Sequence, residues 1–320
     1  MKKILLTYPV PAQTLDQFTK DFSLTVADHK LSHEEVVSAV KEYNGLFVFG
    51  VKADRQVMDA GKKLEVIANF GVGYDNIDWK YATEKGIAVV NTPTQVTDAT
   101  AEHTLALIIS TMRDIAGYDR ELRQGVWKTP LFSDRATELT DRTLGVIGFG
   151  RIGKAVAKKA TGIGMNVIYY DVYRAQPELE KEYKVTYMEF DKVLANSDCI
   201  TLHMPFTEKN RHLFNLETFR KMKKTAYFIN CARGPIVNEK DLARALQEGI
   251  IKGAGLDVFE NEPHPSPELL QLSNITLTPH VASSTMKARL GMAKEALSGI
   301  AAVLKGNIPY NVINPEVLKK

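Results

Sequence analysis

Cysteine is nearly absent. Only Cys199 and Cys231 occur in 320 residues, far apart and without the spacing of a metal-ligand set or a disulfide framework. Each falls beside an expected strand and reads as a buried, reduced thiol, which suits a cytoplasmic protein. Long apolar runs are also missing. The run from Ile4 to Leu6, after Met1-Lys2-Lys3, is too short for a signal-peptide core, and no stretch approaches the roughly 20 apolar residues of a membrane span. Neither sign of charge is in excess, because 41 basic against 38 acidic residues leave +3. Lys-rich stretches such as Lys221 to Lys224 read as solvated faces, so neither nucleic acid nor a membrane is expected as a partner. His29, His33, His103, His203, His212 and His264 make no metal-binding spacing, and no metal site is expected. There is no low-complexity segment and no short-period repeat.

What is present is length, apolar content and rhythm. A chain of this length, 44% apolar, can bury a sizeable core and points to two domains. Short apolar runs at 4–8, 23–27, 46–49, 66–70 and 88–91 alternate with helical stretches. Ser32 followed by Glu35 is a capping box, and Lys85-Gly86 is a basic last turn with a glycine stop. One long helix is expected over 98–122, apolar on nearly all sides at first and so buried between lobes or subunits. His103 on it reads as a hydrogen-bonded structural histidine. After an irregular polar loop over 125–140 the alternation resumes, with strands at 143–147, 167–170, 199–203, 227–229, 254–256 and 275–278. A second long helix follows over 284–305, stopped by Gly306. This rhythm predicts an α/β protein of two lobes with parallel sheets, joined by long crossing helices. Ligands in such folds sit at the carboxyl ends of the strands.

Gly148-Phe149-Gly150-Arg151-Ile152-Gly153 follows an apolar strand and opens a helical stretch, which is the context a dinucleotide fingerprint requires. The first glycine permits the turn, the second admits the pyrophosphate, and the third lets helix and strand pack closely. The second lobe is therefore expected to be Rossmann-like, and the first Rossmann- or flavodoxin-like. Eighteen residues past Gly153, Asp171 ends a strand. An acid there accepts hydrogen bonds from ribose hydroxyls and repels a 2′-phosphate, favouring NAD over NADP; a helix cap is the alternative, and Arg174 nearby softens the preference. Gly71-Val72-Gly73 also follows a strand but lacks a third glycine, and its amides suit a carboxylate.

Three polar residues fit reduction of a 2-oxo acid. Arg233 stands just past a strand, where a guanidinium can grip a carboxylate bidentately, although a surface ion pair is the common fate of an arginine. His280 follows another strand and has an ordinary pKa near the working pH. Glu262 lies in a loop able to fold back onto it, which would raise the histidine pKa and orient the ring.

The chain resembles the D-isomer-specific 2-hydroxyacid dehydrogenase family along nearly its whole length. The matching segments run from Ala68 to Asp78, Asn91-Thr92-Pro93, Gly148 to Gly153, Asn230 to Gly234, Gly255 to Glu260 and Thr278-Pro279-His280. The resemblance implies that Arg233, Glu262 and His280 are catalytic and that Val72 and Gly73, with Arg233 and His280, meet the substrate. It places Thr104, Gly148, Gly150, Arg151, Ile152, Gly153, Asp171, His203, Pro205, Thr207, Cys231, Ala232, Arg233, Asp257, His280 and Ala282 around the cofactor, with Asp257 on the carboxamide. It further implies a substrate domain of 1–100 completed by 286–320, an NAD-binding domain of 101–285, and a homodimer. The segments 69–78 and 96–101 are closest to glyoxylate and hydroxypyruvate reductases. Lys52 is the only candidate phosphate cation in the loop after the third strand, which argues against a phosphorylated substrate. A phosphoglycerate or 2-ketogluconate activity, or a non-catalytic NAD(H)-sensing protein, are the alternatives.

Overall fold

A computed structural model describes residues 1–128 and 130–319. The chain divides into two compact units, Met1–Val96 with Ser284–Lys320, and Thr97–Ser283.

The first unit holds a five-stranded parallel sheet of β1 (Lys2–Leu6), β2 (Phe22–Val26), β3 (Gly45–Val48), β4 (Val66–Asn69) and β5 (Ala88–Val90), in the order β2-β1-β3-β4-β5. Its central strands are apolar at successive positions because both faces are covered; Leu46, Phe47 and Val48 are all buried. One covering helix, His33–Ala39, starts at Ser32 through the capping box, with Glu35 N–H donating to Ser32 Oγ at 3.2 Å and Ser32 N–H to the Glu35 carboxylate at 2.7 Å. The helix Met286–Leu304 packs Ala296, Leu297 and Ile300 with Ile4, Phe47 and Val66. Gly45 is small of necessity, since a Cβ there would lie 2.8 Å from Ile300 Cγ2. The C-terminal segment is sewn to β5 by the buried Asn314, which accepts from Val89 N–H at 2.7 Å and donates to Ile87 O and Thr83 Oγ1 at 2.9 Å.

The second unit holds seven parallel strands, β6 (Thr143–Ile147), β7 (Asn166–Tyr170), β8 (Val185–Tyr187), β9 (Cys199–Leu202), β10 (Tyr227–Asn230), β11 (Gly253–Leu256) and β12 (Ile275–Leu277), ordered β12-β11-β10-β9-β6-β7-β8. Each sheet reverses its winding once, between β1 and β3 in the first and between β6 and β9 in the second. At such a reversal the connections leave in opposite directions and open a crevice beyond the carboxyl ends.

Two expectations need correction. The edge strand β8 was not anticipated; it has only three residues, of which Val185 alone is buried, so it carries no readable pattern. The long helix over 98–122 is two helices, Thr97–Met112 and Ile115–Arg123, broken where Asp114 takes a left-handed conformation (φ 49°). Arg135 holds the break: it ion-pairs with Asp114, donates to both Glu121 oxygens at 2.8 and 2.9 Å, and covers the Tyr118 ring. The helix Thr97–Met112 packs extensively within its own unit. It lies on β10, β11 and β12 and against the helix Arg151–Gly162.

Replacing Asn314 by alanine leaves a buried amide and a buried carbonyl without partners. Stability should fall by about 2–4 kcal/mol in urea unfolding; a loss under about 0.5 kcal/mol would show that the segment is not held by this residue.

Candidate active site

The glycine loop sits at the reversal point of the seven-stranded sheet, between the ends of β6 and β9. Gly148 has φ +96°, and a Cβ on it would meet the His203–Met204 backbone at 2.7 Å. Gly153 faces Gly148 O, 2.1 Å from where its Cβ would be. Gly150 differs from both. Its φ is ordinary and nothing lies within 4 Å of the position a Cβ would take, so its lack of a side chain leaves open space at the helix start. The helix Arg151–Gly162 has no side-chain cap, which leaves its first N–H groups available to an anion. An uncapped N-terminus behind an open glycine suits a pyrophosphate.

Asp171, at the end of β7, turns one oxygen to Phe149 N–H (2.7 Å) and the other to Tyr173 N–H (3.0 Å). It braces the glycine loop. Arg174 is committed elsewhere, donating to both oxygens of Glu180 at 2.9 and 3.0 Å and lying over Tyr187. His203 is turned into the protein. Its Nε2 meets Thr201 Oγ1 at 3.0 Å, its Nδ1 is buried without a partner, and burial pushes its pKa down to about 3, so the ring is neutral. Pro205 and Thr207 are exposed on the loop after β9, tied through Asn210, which accepts from Thr207 N–H (2.7 Å) and donates to Pro205 O (2.8 Å). Thr104 is buried beside Cys231, whose thiol pKa burial raises.

Arg233, Glu262 and His280 all belong to the second unit. Buried Asn230 forms the turn that presents the arginine, accepting from Ala232 N–H at 2.9 Å and donating to Arg233 O at 3.0 Å. Glu262 and His280 are joined, Oε2 to Nδ1, at 2.7 Å. Burial opposes ionisation of Glu262, but the bond and charge of His280, the Phe259 amide and the Arg233 charge outweigh it and hold its pKa below the ordinary 4.5. An ionised carboxylate only accepts, so Nδ1 carries the donated proton and Nε2 lies on the opposite side of the ring. The arrangement is an oriented acid beside a cation.

Several further residues hold these groups in place. Asp257 is fully buried; it accepts from Thr278 Oγ1 (2.6 Å) and from Val281 and Ala282 N–H (both 2.9 Å), and its carbonyl accepts from His280 N–H (2.8 Å). His103 adds a bond to Thr278 at 3.0 Å, the structural use expected of it. Burial opposes the charge on Asp257 and these donors overcome it, keeping its pKa low. Glu239, the first residue of the helix Glu239–Gln247, is buried and accepts from Glu260 N–H (2.6 Å) and Ser266 N–H (2.8 Å), so it fastens both flanks of the Glu262 loop. Gly234 passes so close to that loop that its Cβ would fall 1.8 Å from the Phe259 carbonyl.

In the first unit, the Gly71-Val72-Gly73 turn after β4 has all three carbonyls engaged. Thr92 N–H binds Gly71 O (3.0 Å), Asn91 Nδ2 binds Val72 O (2.8 Å), and Asn69 Nδ2 binds Gly73 O. Among the described residues the amides of Val72 and Gly73 have no acceptor. Fixed carbonyls and free amides form an anion cradle.

Because Glu262 is held below its unfolded value, its pairing contributes stability in full above the ordinary carboxylate range and loses it as pH falls through the lowered value. Glu262→Gln should therefore flatten the acid side of the stability curve below about pH 4.5. Urea unfolding from pH 7 to 3 measures it; parallel curves for both proteins would show that the pair does not couple to folding.

The match to known proteins is as broad as the motifs are. Residues 105–282 fit the family model described as D-isomer specific 2-hydroxyacid dehydrogenase, NAD binding domain. A glyoxylate reductase of Korarchaeum cryptofilum is 40% identical over 324 residues, covering 99% of this chain and 97% of that protein. A glyoxylate reductase of Paecilomyes thermophila superposes with a TM-score of 0.88 at 30% identity, covering 98% of this chain and 99% of that one. D-Lactate dehydrogenase of Aquifex aeolicus, solved with NAD and lactic acid, gives 0.86 at 31% identity, again covering 98% and 99%. With the fingerprint, the cradle and the Glu262–His280 pair in one chain, these likenesses have a single reading: the protein belongs to the D-isomer specific 2-hydroxyacid dehydrogenase family and carries its NAD-binding domain.

Proposed function

We propose that this chain is a glyoxylate/hydroxypyruvate reductase using NADH, and the observation that carries the chemistry is the Glu262–His280 pair at 2.7 Å. Bound nicotinamide supplies the hydride. The protein's own part is to orient and to move a proton. Arg233 offers a guanidinium suited to a carboxylate, and Val72 and Gly73 offer free amides suited to one. His280 delivers the Nε2 proton to the carbonyl oxygen, and ionised Glu262 stabilises the imidazolium from the other side of the ring. The amides at the start of Arg151–Gly162, open at Gly150, take the pyrophosphate, and Asp171 takes the ribose. Thr104, Pro205, Thr207, Cys231, Ala232 and Ala282 border that cofactor. Asp257 and His203 support it from behind.

The 1–100 and 286–320 segments are proposed as the substrate domain, and 101–285 as the NAD domain. Trp127, Leu131 and Phe132, exposed by 78%, 88% and 90% within six residues, favour a homodimer that covers them. The two buried thiols favour the cytoplasm, and no described helix is long and apolar enough to cross a membrane.

Purified protein should oxidise NADH with glyoxylate and hydroxypyruvate, and His280→Ala should lower kcat about 100- to 10,000-fold, as loss of a general acid does. Arg233→Ala should cost a similar factor, and 3-phosphohydroxypyruvate should be the poorer substrate. Asp171→Ser should raise the NADPH-to-NADH ratio of kcat/KM. Absence of turnover with every small 2-oxo acid tried would remove the reading, and an unmoved cofactor ratio would remove Asp171 from it. For the dimer, sedimentation decides: the mass of one 35.7 kDa chain would refute it.

A further inference from the structure

We propose that Arg289 is a specificity-determining residue of this reductase, its guanidinium taking an oxygen borne on C3 of the 2-oxo acid. This rests on the reductase reading above and names the substrates that the site prefers.

Position argues first. The five-stranded sheet reverses between β1 and β3, and the residues just past those strands and past β4 are Tyr8, Phe49 and Phe70. Their rings form one cluster, Tyr8 edge-on to Phe49 at 5.0 Å and Phe49 edge-on to Phe70 at 5.2 Å. Arg289, early in the helix Met286–Leu304, lays its guanidinium over both Phe49 (5.3 Å) and Phe70 (5.5 Å). The crevice where an α/β sheet binds ligands is thus floored by aromatics and carries a cation.

Bonding argues second. A half-buried guanidinium ordinarily meets a carboxylate, because its five donors are costly to desolvate. Here Nη2 donates to Ser284 Oγ at 2.8 Å, and among the described residues no acidic side chain pairs with Arg289. The remaining donors are held in place without an anion to receive them. Lys30, 5.9 Å over the Phe49 ring, adds a second positive charge to the same rim.

Continuity argues third. Phe70 is followed at once by Gly71-Val72-Gly73, whose free amides suit a carboxylate. In a 2-oxo acid C3 lies two bonds from the carboxyl carbon, so a molecule seated on those amides has its C3 substituent close to the cradle. Glyoxylate has no C3, pyruvate has a bare methyl there, and hydroxypyruvate has a hydroxyl. The guanidinium distinguishes the last from the other two.

Two variants and two readouts test this. Arg289→Met keeps the stem over the rings without the charge, and Arg289→Lys keeps a charge without the fork. In NADH turnover, Arg289→Met should lower kcat/KM for hydroxypyruvate at least tenfold more than for glyoxylate or pyruvate, mostly through KM, and Arg289→Lys should recover part. In calorimetry on the NAD-loaded enzyme, D-glycerate should bind about tenfold or more tighter than D-lactate, with the gap closing in Arg289→Met. An equal loss on all three substrates, with a lowered melting temperature, would make Arg289 a structural tie and overturn the proposal. So would an unchanged D-glycerate preference. Wild-type protein that turns over none of the substrates overturns the reductase reading instead, and the product affinities still judge Arg289.

Discussion

The buried carboxylate of Asp257 is the constraint on which the acid–base geometry depends. It lies at the end of β11 with, among the described residues, no arginine or lysine ion-paired to it, stabilised by Thr278 and the amides of Val281 and Ala282, with His103 alongside. Those donors can reach it only if the chain folds sharply after β12, and that fold puts His280 in a left-handed conformation (φ 52°). A non-glycine residue is rarely found there, and the four bonds around Asp257 over-determine it. The ring is thereby aimed at Glu262, whose own loop is fastened by Glu239 and pressed by Gly234. Two buried carboxylates thus fix the Glu262–His280 pair.

Much of this was legible in the sequence because it rests on local rules. Eleven of the strands follow from apolar runs bounded by turn residues, and the Ser32–Glu35 box and the glycine stops need only their neighbours. The glycine fingerprint is legible for the same reason, since strand, turn and helix are contiguous. Arg233, Glu262 and His280 could be named because each follows a recognisable strand or motif. What stayed hidden depends on distant partners. Nothing near Asp114 announces a break; it exists because Arg135 reaches back across 21 positions. Glu239 reads as an ordinary acid in the first turn of a helix, and its hold on residues 260 and 266 comes from tertiary packing. Arg289 reads as one more basic residue on a surface helix until the sheet ends are assembled beneath it.

The aromatic residues show the same division. Phe149, in the fingerprint, stacks on Tyr169 at 4.2 Å, and the Tyr169 hydroxyl donates to Glu180 at 2.8 Å. The carboxylate that occupies Arg174 is therefore also connected, through one ring, to the glycine loop. Asp171, Phe149, Tyr169, Glu180 and Arg174 thus form one connected network beside the glycine loop.

The two winding reversals also divide the labour of the molecule. The acid, its orienting carboxylate, the cationic grip and the glycine loop all lie in the unit Thr97–Ser283. The free amides after β4 and the guanidinium over Phe49 and Phe70 lie in the unit made of the two ends of the chain. On the proposed roles, reactivity and selectivity fall in separately packed stretches, each with its own core. Substitutions that retune which acid is accepted need not disturb the residues that move the proton, so one chemistry can be carried unchanged from substrate to substrate as the ends of the chain vary.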